Sequence, residues 1–322
     1  MYWKFLKGII SAMKKISIIV PVYYNEENLL SLYADLKNKV LENLPKYNLD
    51  YELIFVDDGS KDKSYSILQD LSKLDSKIIL MKLSRNFGEH SALLAGLTKC
   101  TGDFAVRKAA DLQEPSELII QMIEKYNEGN NVVIATRADR DEPFIQKTLS
   151  NLYATIMQKL ALHNMPKGGF DSFLVDRQVI DVLVQMQEKN TSLMSQILWS
   201  GFKTETVPYN RLKRSAGKSR WTLSKKIKLA IDSILSFSYF PVRFISIIGI
   251  FSSITALISS IIILCLKCTG NIDVEGYTSI IVLILFCFGI IMFSLGILGE
   301  YIWRAFDAAR KRPPFIEEKE HK

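Results

Sequence analysis

The residues best suited to chemistry in this chain are Ala109-Ala110-Asp111-Leu112-Gln113-Glu114-Pro115. They sit at the end of an apolar stretch, and a proline closes them. A carboxylate and an amide oxygen two residues apart, at a strand-to-loop junction, suit a hard divalent cation. Mg2+ commonly takes one or two carboxylates and draws further oxygens from substrate phosphates. Position 109, where a second acid would be expected, holds Ala. Arg107 and Lys108, just upstream, read as buried or turned away.

Two more polar clusters follow apolar runs. Asp57-Asp58-Gly59-Ser60 follows 51–56, and Tyr23-Tyr24-Asn25-Glu26 follows 16–22. Asp57 and Asp58 can accept from base N–H groups or ribose hydroxyls. Taken alone, the same tetrapeptide also reads as an ordinary tight turn and helix N-cap. No G-x-G-x-x-G follows the first run, and no G-x-x-x-x-G-K-S/T occurs, which disfavours dinucleotide and P-loop chemistry.

The elements that must position these clusters alternate in type. Strands are expected at 16–22, 51–56, 78–83, 103–109 and 131–136. Helices are expected between them, through Leu29–Leu36, Tyr65–Leu71, His90–Thr98 and Pro115–Tyr126. That order argues a mostly parallel sheet covered on both faces. Ligands of such sheets bind at the carboxyl ends of the strands. The three clusters fall at ends of that kind, after Val22, Val56 and Ala110.

Beyond residue 240 the composition changes. Two uncharged apolar runs, Phe244–Leu266 and Ile280–Leu298, each approach the ~20 residues that span a bilayer as a helix. Basic residues flank them outside, at Lys225, Lys226, Lys228, Arg243, Arg310, Lys311 and Arg312. The segment 267–277 between them carries one Lys, one Asp and one Glu. The positive-inside rule then puts both outer flanks, and the large N-terminal domain, in the cytoplasm of a cell-membrane protein.

The net charge of +7 is concentrated at Lys213, Arg214, Lys218, Arg220 and the three lysines at 225–228. This patch abuts the membrane and has no nucleic-acid motif beside it, so anionic lipid is the expected partner and nucleic acid is not. Leu223, Ile227, Ile231, Ile234 and Leu235 recur near helical spacing, as in an interfacial helix. Four cysteines make no disulfide framework, and Cys265 with Cys268 reads as apolar filling. Residues 1–12 suit an interfacial segment and lack a signal-peptide cleavage site.

Together the motifs resemble a known family. Val20-Pro21-Val22-Tyr23-Tyr24-Asn25-Glu26, Val56-Asp57-Asp58-Gly59-Ser60, Ser84-Arg85-Asn86-Phe87-Gly88 and Ala110-Asp111-Leu112-Gln113-Glu114-Pro115 are similar to the family 2 glycosyltransferases of the GT-A fold. More narrowly they resemble the polyisoprenyl-phosphate glycosyltransferases, relatives of dolichyl-phosphate mannose synthase. Arg211 to Trp221 resembles that branch's R-x-x-x-x-x-G-x-S-K/R-W/Y segment, and Ser236 to Arg243 resembles its membrane entry.

The resemblance runs from about Ile16 to Arg312. It implies an α/β, Rossmann-like GT-A domain with a mostly parallel sheet at 15–222, after an extension at 1–14. A juxtamembrane amphipathic helix at 223–241, a transmembrane hairpin at 242–303 (spans near 244–266 and 278–302) and a cytoplasmic tail at 304–322 would follow.

The resemblance also implies roles. Pro21, Tyr23, Glu26, Asp57 and Asp58 would bind the nucleotide sugar. Asp111 and Gln113 would hold Mg2+ or Mn2+ against the diphosphate. Arg137, Arg211, Lys218 and Arg220 would surround the phosphates, and Lys147 with Ser150 would take the acceptor phosphate. The implied reaction is inverting transfer from UDP-glucose or UDP-N-acetylglucosamine to undecaprenyl phosphate. A homo-oligomer, a flippase and a downstream glycosyltransferase are the implied partners.

Two other readings compete with this one. A processive polysaccharide synthase usually carries Q-x-x-R-W, and here Gly217 stands where that Gln would be. A non-catalytic membrane scaffold is favoured by Ala109 and opposed by Asp111, Gln113 and the arginines.

Overall fold

The computed structural model describes residues 13–138, 155, 157–159, 162, 164–166, 169–170, 172–186, 188, 191–212, 223–268 and 276–318. The chain forms two compact units, residues 1–233 with 313–322, and residues 234–312.

The first unit is built on seven strands. They are β1 (Lys14–Val22), β2 (Leu49–Asp57), β3 (Ile78–Lys82), β4 (Phe104–Arg107), β5 (Val132–Arg137), β6 (Ser172–Asp176) and β7 (Thr204–Tyr209). Their order across the sheet is β3-β2-β1-β4-β6-β5-β7. Among the described strands, β6 alone runs antiparallel to its neighbours. Helices α1 (Leu29–Lys39), α2 (Ser64–Leu74), α3 (Glu89–Lys99), α4 (Leu118–Asn127), α5 (Arg177–Gln185) and α6 (Leu193–Trp199) connect them.

Hydrophobic sequence puts β1 in the interior of the sheet, between β2 and β4. Five successive residues, Ile16 to Val20, are buried, as expected of a parallel strand covered on both faces. Alternate residues serve opposite faces. Ile16, Ile18, Val20 and Val22 join one core cluster with Leu29, Leu32 and Leu36 of α1 and Leu118 and Met122 of α4. Ile19 meets α3, where Gly96 leaves no room: a Cβ there would lie 2.4 Å from Ile19 Cγ2.

The chain lays down β1, β2 and β3 outward in one direction, then returns to place β4 on the other side of β1. This reversal makes a topological switch point between β1 and β4, and doubly wound sheets bind ligands at the carboxyl ends of the strands there. At the opposite ends of the strands lies a closed polar knot. Buried Glu52 accepts from Ser17 Oγ (2.6 Å), Thr101 N (2.6 Å) and Thr101 Oγ1 (2.7 Å), and pairs with Lys15 (2.6 Å). Burial by itself would raise the Glu52 pKa, but these partners hold it below its ordinary value.

Sequence periodicity overlooks β6 and β7 and overextends β4. The β6 run is five residues long, and β7 contains Pro208. Pro is tolerated in β7 because it is an edge strand. The run at 103–109 leaves the sheet at Arg107, so Lys108 belongs to the loop.

The expected separate tail at 304–322 divides differently. Arg304 to Ala309 continue a helix, while Ile316 to Glu318 add to the edge of β3. There Ser84 N donates to Ile316 O (3.0 Å), Glu318 N donates to Lys82 O (2.8 Å), and Lys82 pairs with Glu318 (2.8 Å).

Helix α7 (Leu223–Phe237) ends the first unit and enters the second. Ser238 Oγ then accepts from Phe240 N (3.1 Å), and Pro241 sits in the first turn of α8 (Phe240–Cys268), where its missing N–H costs nothing. Helix α9 (Tyr277–Ala309) follows. Both α8 and α9 are long and apolar enough to cross a membrane, over Phe240–Ser259 and Phe286–Ala309. Their apolar side chains are uncovered: Ile247 is 65% exposed and Phe251 73%. Such helices do not read as the buried core of a soluble domain.

Gly96→Ala sets two effects against each other. Ala is favoured over Gly in a helix by about 1 kcal/mol. Overpacking against Ile19 costs about 1–3 kcal/mol. The clash is with a branched side chain on an interior strand, so the variant is expected to melt at a lower temperature. An equal or higher melting temperature in detergent would contradict the packing.

Candidate active site

The residues after β1 are stitched to the turn after β2. Tyr24 adopts a left-handed conformation (φ 55°), and its N–H donates to Ser60 Oγ (3.0 Å). Asn25 N donates to Ser64 Oγ (2.9 Å), and Glu26 accepts from Lys63 N (2.8 Å). Tyr23 and Tyr24 meet edge to face with centroids 4.7 Å apart. Pro21 is paired in register with Val56, one residue before the acids.

Asp57 and Asp58 have different environments. Asp57 is fully buried; Oδ1 accepts from Ser60 N (3.3 Å), and Oδ2 has no hydrogen-bond partner. Burial raises its pKa. A buried carboxylate oxygen left without a donor is rare, and it suits a ligand N–H or O–H.

Asp58 is also buried, but its oxygens are taken. It accepts from Phe87 N (2.7 Å), Gly88 N (2.9 Å) and Asn86 Nδ2 (2.9 Å). Burial pushes its pKa up to about 6 against the pull of these donors. Asp58 therefore grips the 86–88 loop. Gly59 makes the approach of that loop possible: at φ +72°, a Cβ would lie 2.5 Å from the Arg85 carbonyl carbon and 2.7 Å from Asn86 N.

The loop after β4 is held in a strained form. Asp111 Oδ1 accepts from Gln113 N (3.2 Å), and Leu112 between them has φ 58°. A branched residue in that region is unfavourable unless its surroundings fix it. The Leu112 side chain packs against the main core cluster. Lys108 is 1% exposed and donates from Nζ to the Glu114 carbonyl. Burial lowers its pKa.

The exit of β7 closes on this loop. Leu212 N donates to Gln113 O (2.9 Å), and Arg211 donates to Gln113 Oε1. The oxygen read as a cation ligand is thus held by an arginine read as a phosphate ligand. Arg137 ends β5, in register with Tyr209 of β7.

Strands β1, β2, β4, β5 and β7 all point the same way, so one edge of the sheet collects Pro21, Tyr23, Glu26, Asp57, Asp58, Asp111, Gln113, Arg137 and Arg211. Lys147, Ser150, Lys218 and Arg220 lie outside the described residues. Ser60, Ser64 and the Asn86–Gly88 amides were not foreseen in these roles. The Ser84–Gly88 motif was visible in sequence, but its contact with Asp58 was not.

Among the described residues, no group of three or more His, Cys, Asp or Glu forms a metal cluster. Asp111 offers a hard oxygen that fits a cation completing its shell from a phosphate-bearing ligand.

Residues 17–184 match the glycosyl transferase family 2 profile. The chain belongs to glycosyltransferase family 2. Its sheet is the GT-A arrangement, followed by two apolar helices, and the protein is a glycosyltransferase.

The uncharacterized glycosyltransferase YkcC of Bacillus subtilis is 38% identical over 306 residues, 95% of this chain and 94% of its own. The prophage bactoprenol glucosyl transferase homolog of Escherichia coli K12 is 35% identical over 304 residues, 94% of this chain and 98% of its own. The bactoprenol glucosyl transferase of Shigella phage SfII is 34% identical, over 96% of this chain and 99% of its own. A Pyrobaculum calidifontis mannosyltransferase, solved with GDP-mannose and Mn2+, aligns over 70% of this chain and 66% of its own at 16% identity, with a TM-score of 0.46.

The raised Asp58 pKa has a definite sign. Between the unfolded value of 3.8 and the folded value of about 6, the folded state binds more protons. Stability from this group therefore falls as pH rises across that window and levels off above it. Asp58→Asn is expected to flatten that slope in melting temperatures taken from pH 4 to 7. An unchanged slope would remove Asp58 as its source.

Proposed function

We infer that this glycosyltransferase moves a sugar from a nucleotide sugar to a polyisoprenyl phosphate at the cytoplasmic membrane face. One observation carries the reading. The match to bactoprenol glucosyl transferases covers 94–96% of the chain, so it runs through both apolar helices as well as the catalytic unit. Those names favour UDP-glucose over UDP-N-acetylglucosamine as donor, and undecaprenyl phosphate as acceptor.

The fold supports a hairpin topology. Residues on both sides of the helix pair, 1–233 and 313–322, belong to one compact unit. Both flanks of a membrane-crossing hairpin would then share a side, and their basic residues favour the cytoplasm.

The chemistry follows from charge. A phosphate monoester is already anionic at pH 7 and needs little help from a base. Its oxygen attacks the anomeric carbon, the bond to the nucleoside diphosphate breaks, and the electron pair leaves with the diphosphate. Direct displacement inverts the anomeric centre.

The protein must bring two polyanions together. Arg137 and Arg211, with Lys218 and Arg220, would offset that repulsion. Mg2+ or Mn2+ would neutralise charge on the leaving diphosphate when bound. Asp111 would hold it. Gln113 would join the shell by releasing Arg211, which donor phosphates attract. Asp57 Oδ2 would accept from the base, and Tyr23 would flank it. Lys147 and Ser150 would take the acceptor phosphate, which α7 would meet at headgroup depth.

Asp111→Asn is expected to lower turnover by about two to three orders of magnitude, with the protein still folded and in the membrane. Retained activity in purified protein would sink the metal assignment. Lys218→Ala with Arg220→Ala is expected to raise the KM for the lipid phosphate while leaving nucleotide-induced thermal shifts in place. Unchanged lipid kinetics would oppose that role. The reading as a whole is tested by incubating membranes with labelled nucleotide sugars and undecaprenyl phosphate. A chloroform-soluble sugar-lipid from UDP-glucose is expected, and no lipid product from any donor would overturn it.

A further inference from the structure

Arg107 sits where β4 ends, with its side chain 10% exposed. Its guanidinium faces two carboxylates on different segments. Nη2 and Nε donate to Glu89 Oε1 (2.7 and 3.1 Å), and Nη1 donates to Glu114 Oε1 (2.6 Å). Each carboxylate leads to one of the loops described above. Glu89 opens α3 directly after Gly88, whose N–H is bound by Asp58. Glu114 follows the Asp111–Gln113 turn, and its Oε2 accepts from Ala109 N (3.3 Å). The Arg107 carbonyl is itself fixed by Ser172 Oγ of β6 (2.6 Å).

We propose that Arg107 is a positioning residue that sets the distance between the two donor-binding loops, through Glu89 to the Asp58–Gly88 side and through Glu114 to the Asp111 side. The proposal rests on the nucleotide-sugar reading. A nucleoside diphosphate must be held at both ends, and small errors in such spacing are costly to transfer. In this role the ion pairs act through the backbone of the segments they join. Buried ion pairs are a poor source of stability compared with apolar packing, because desolvation offsets most of their attraction. Arg rather than Lys suits the position because its planar fork serves two carboxylates at once. Lys108, bonded to the Glu114 carbonyl, holds the same segment a second time.

The test uses the full-length protein in detergent, with Glu89→Gln and Arg107→Lys. Glu89 is the milder site, since its side chain is 35% exposed. Both variants are expected to raise the donor KM by about tenfold, the range seen when a ligand's supporting partner is removed. The acceptor KM should stay within about twofold of wild type. A purely structural role would lower turnover with the folded fraction and leave both KM values alone, and that result would overturn the proposal.

Amide hydrogen exchange gives an arm that needs no activity. Glu89→Gln is expected to speed exchange at both Phe87–Gly88 and Ala109–Gln113. Faster exchange in neither loop, or in the first alone, would overturn the clamp. Should the wild type transfer no sugar, the function reading falls and the exchange arm still decides the clamp.

Discussion

Burial of two adjacent carboxylates at the end of β2 is the constraint on which the rest of this site depends. Asp58 is 3% exposed and cannot remain there without donors, so the chain supplies Asn86, Phe87 and Gly88. That demand folds the 85–88 segment against Gly59 and fixes where α3 begins. Asp57, one residue earlier, is left with one oxygen unpartnered at the carboxyl end of β2. The same turn thus holds one acid whose oxygens the chain fills and one with an oxygen that meets no donor.

The remaining loops answer to that arrangement. The segment after β1 bonds to Ser60 and Ser64, which belong to the turn that the acids create. The loop after β4 carries its strain at Leu112 because the side chain is anchored in the core. The exit of β7 reaches over to Gln113 through Arg211 and Leu212. Even the end of the chain returns to this neighbourhood. Ile316 to Glu318 pair with residues 82–84, just before the loop that Asp58 grips. A protein whose second unit is two exposed apolar helices therefore has its catalytic unit closed by residues from beyond them.

Much of the fold was legible because the signals were local. Buried parallel strands read as short apolar runs, and helices between them read as spaced leucines. The overlooked strands lacked such signals: β6 has five residues, and β7 gains its place from pairing with β5 despite Pro208. The site was legible as a set of motifs but not as a set of contacts. Asp57 and Asp58 look equivalent in sequence; burial and the 86–88 amides separate them. Arg107 and Lys108 read as buried bystanders, since a charged pair at a strand end carries no sign of the acids it will meet. Glu89 and Glu114 are 18 and 7 residues away from Arg107 along the chain.

The sequence by itself determined the family, the order of the first five strands and the helices between them, the two apolar helices and the identity of the acids that line the strand ends. These follow from composition, periodicity and short motifs, which involve only neighbours in the chain. Tertiary structure alone decided which carboxylate oxygen finds no donor, which arginine meets Gln113 and how the segments after β3 and β4 are joined through Arg107. Those outcomes depend on the reversal of strand order at β1 and β4, which brings together residues far apart in sequence, and on desolvation, which no single residue type reveals.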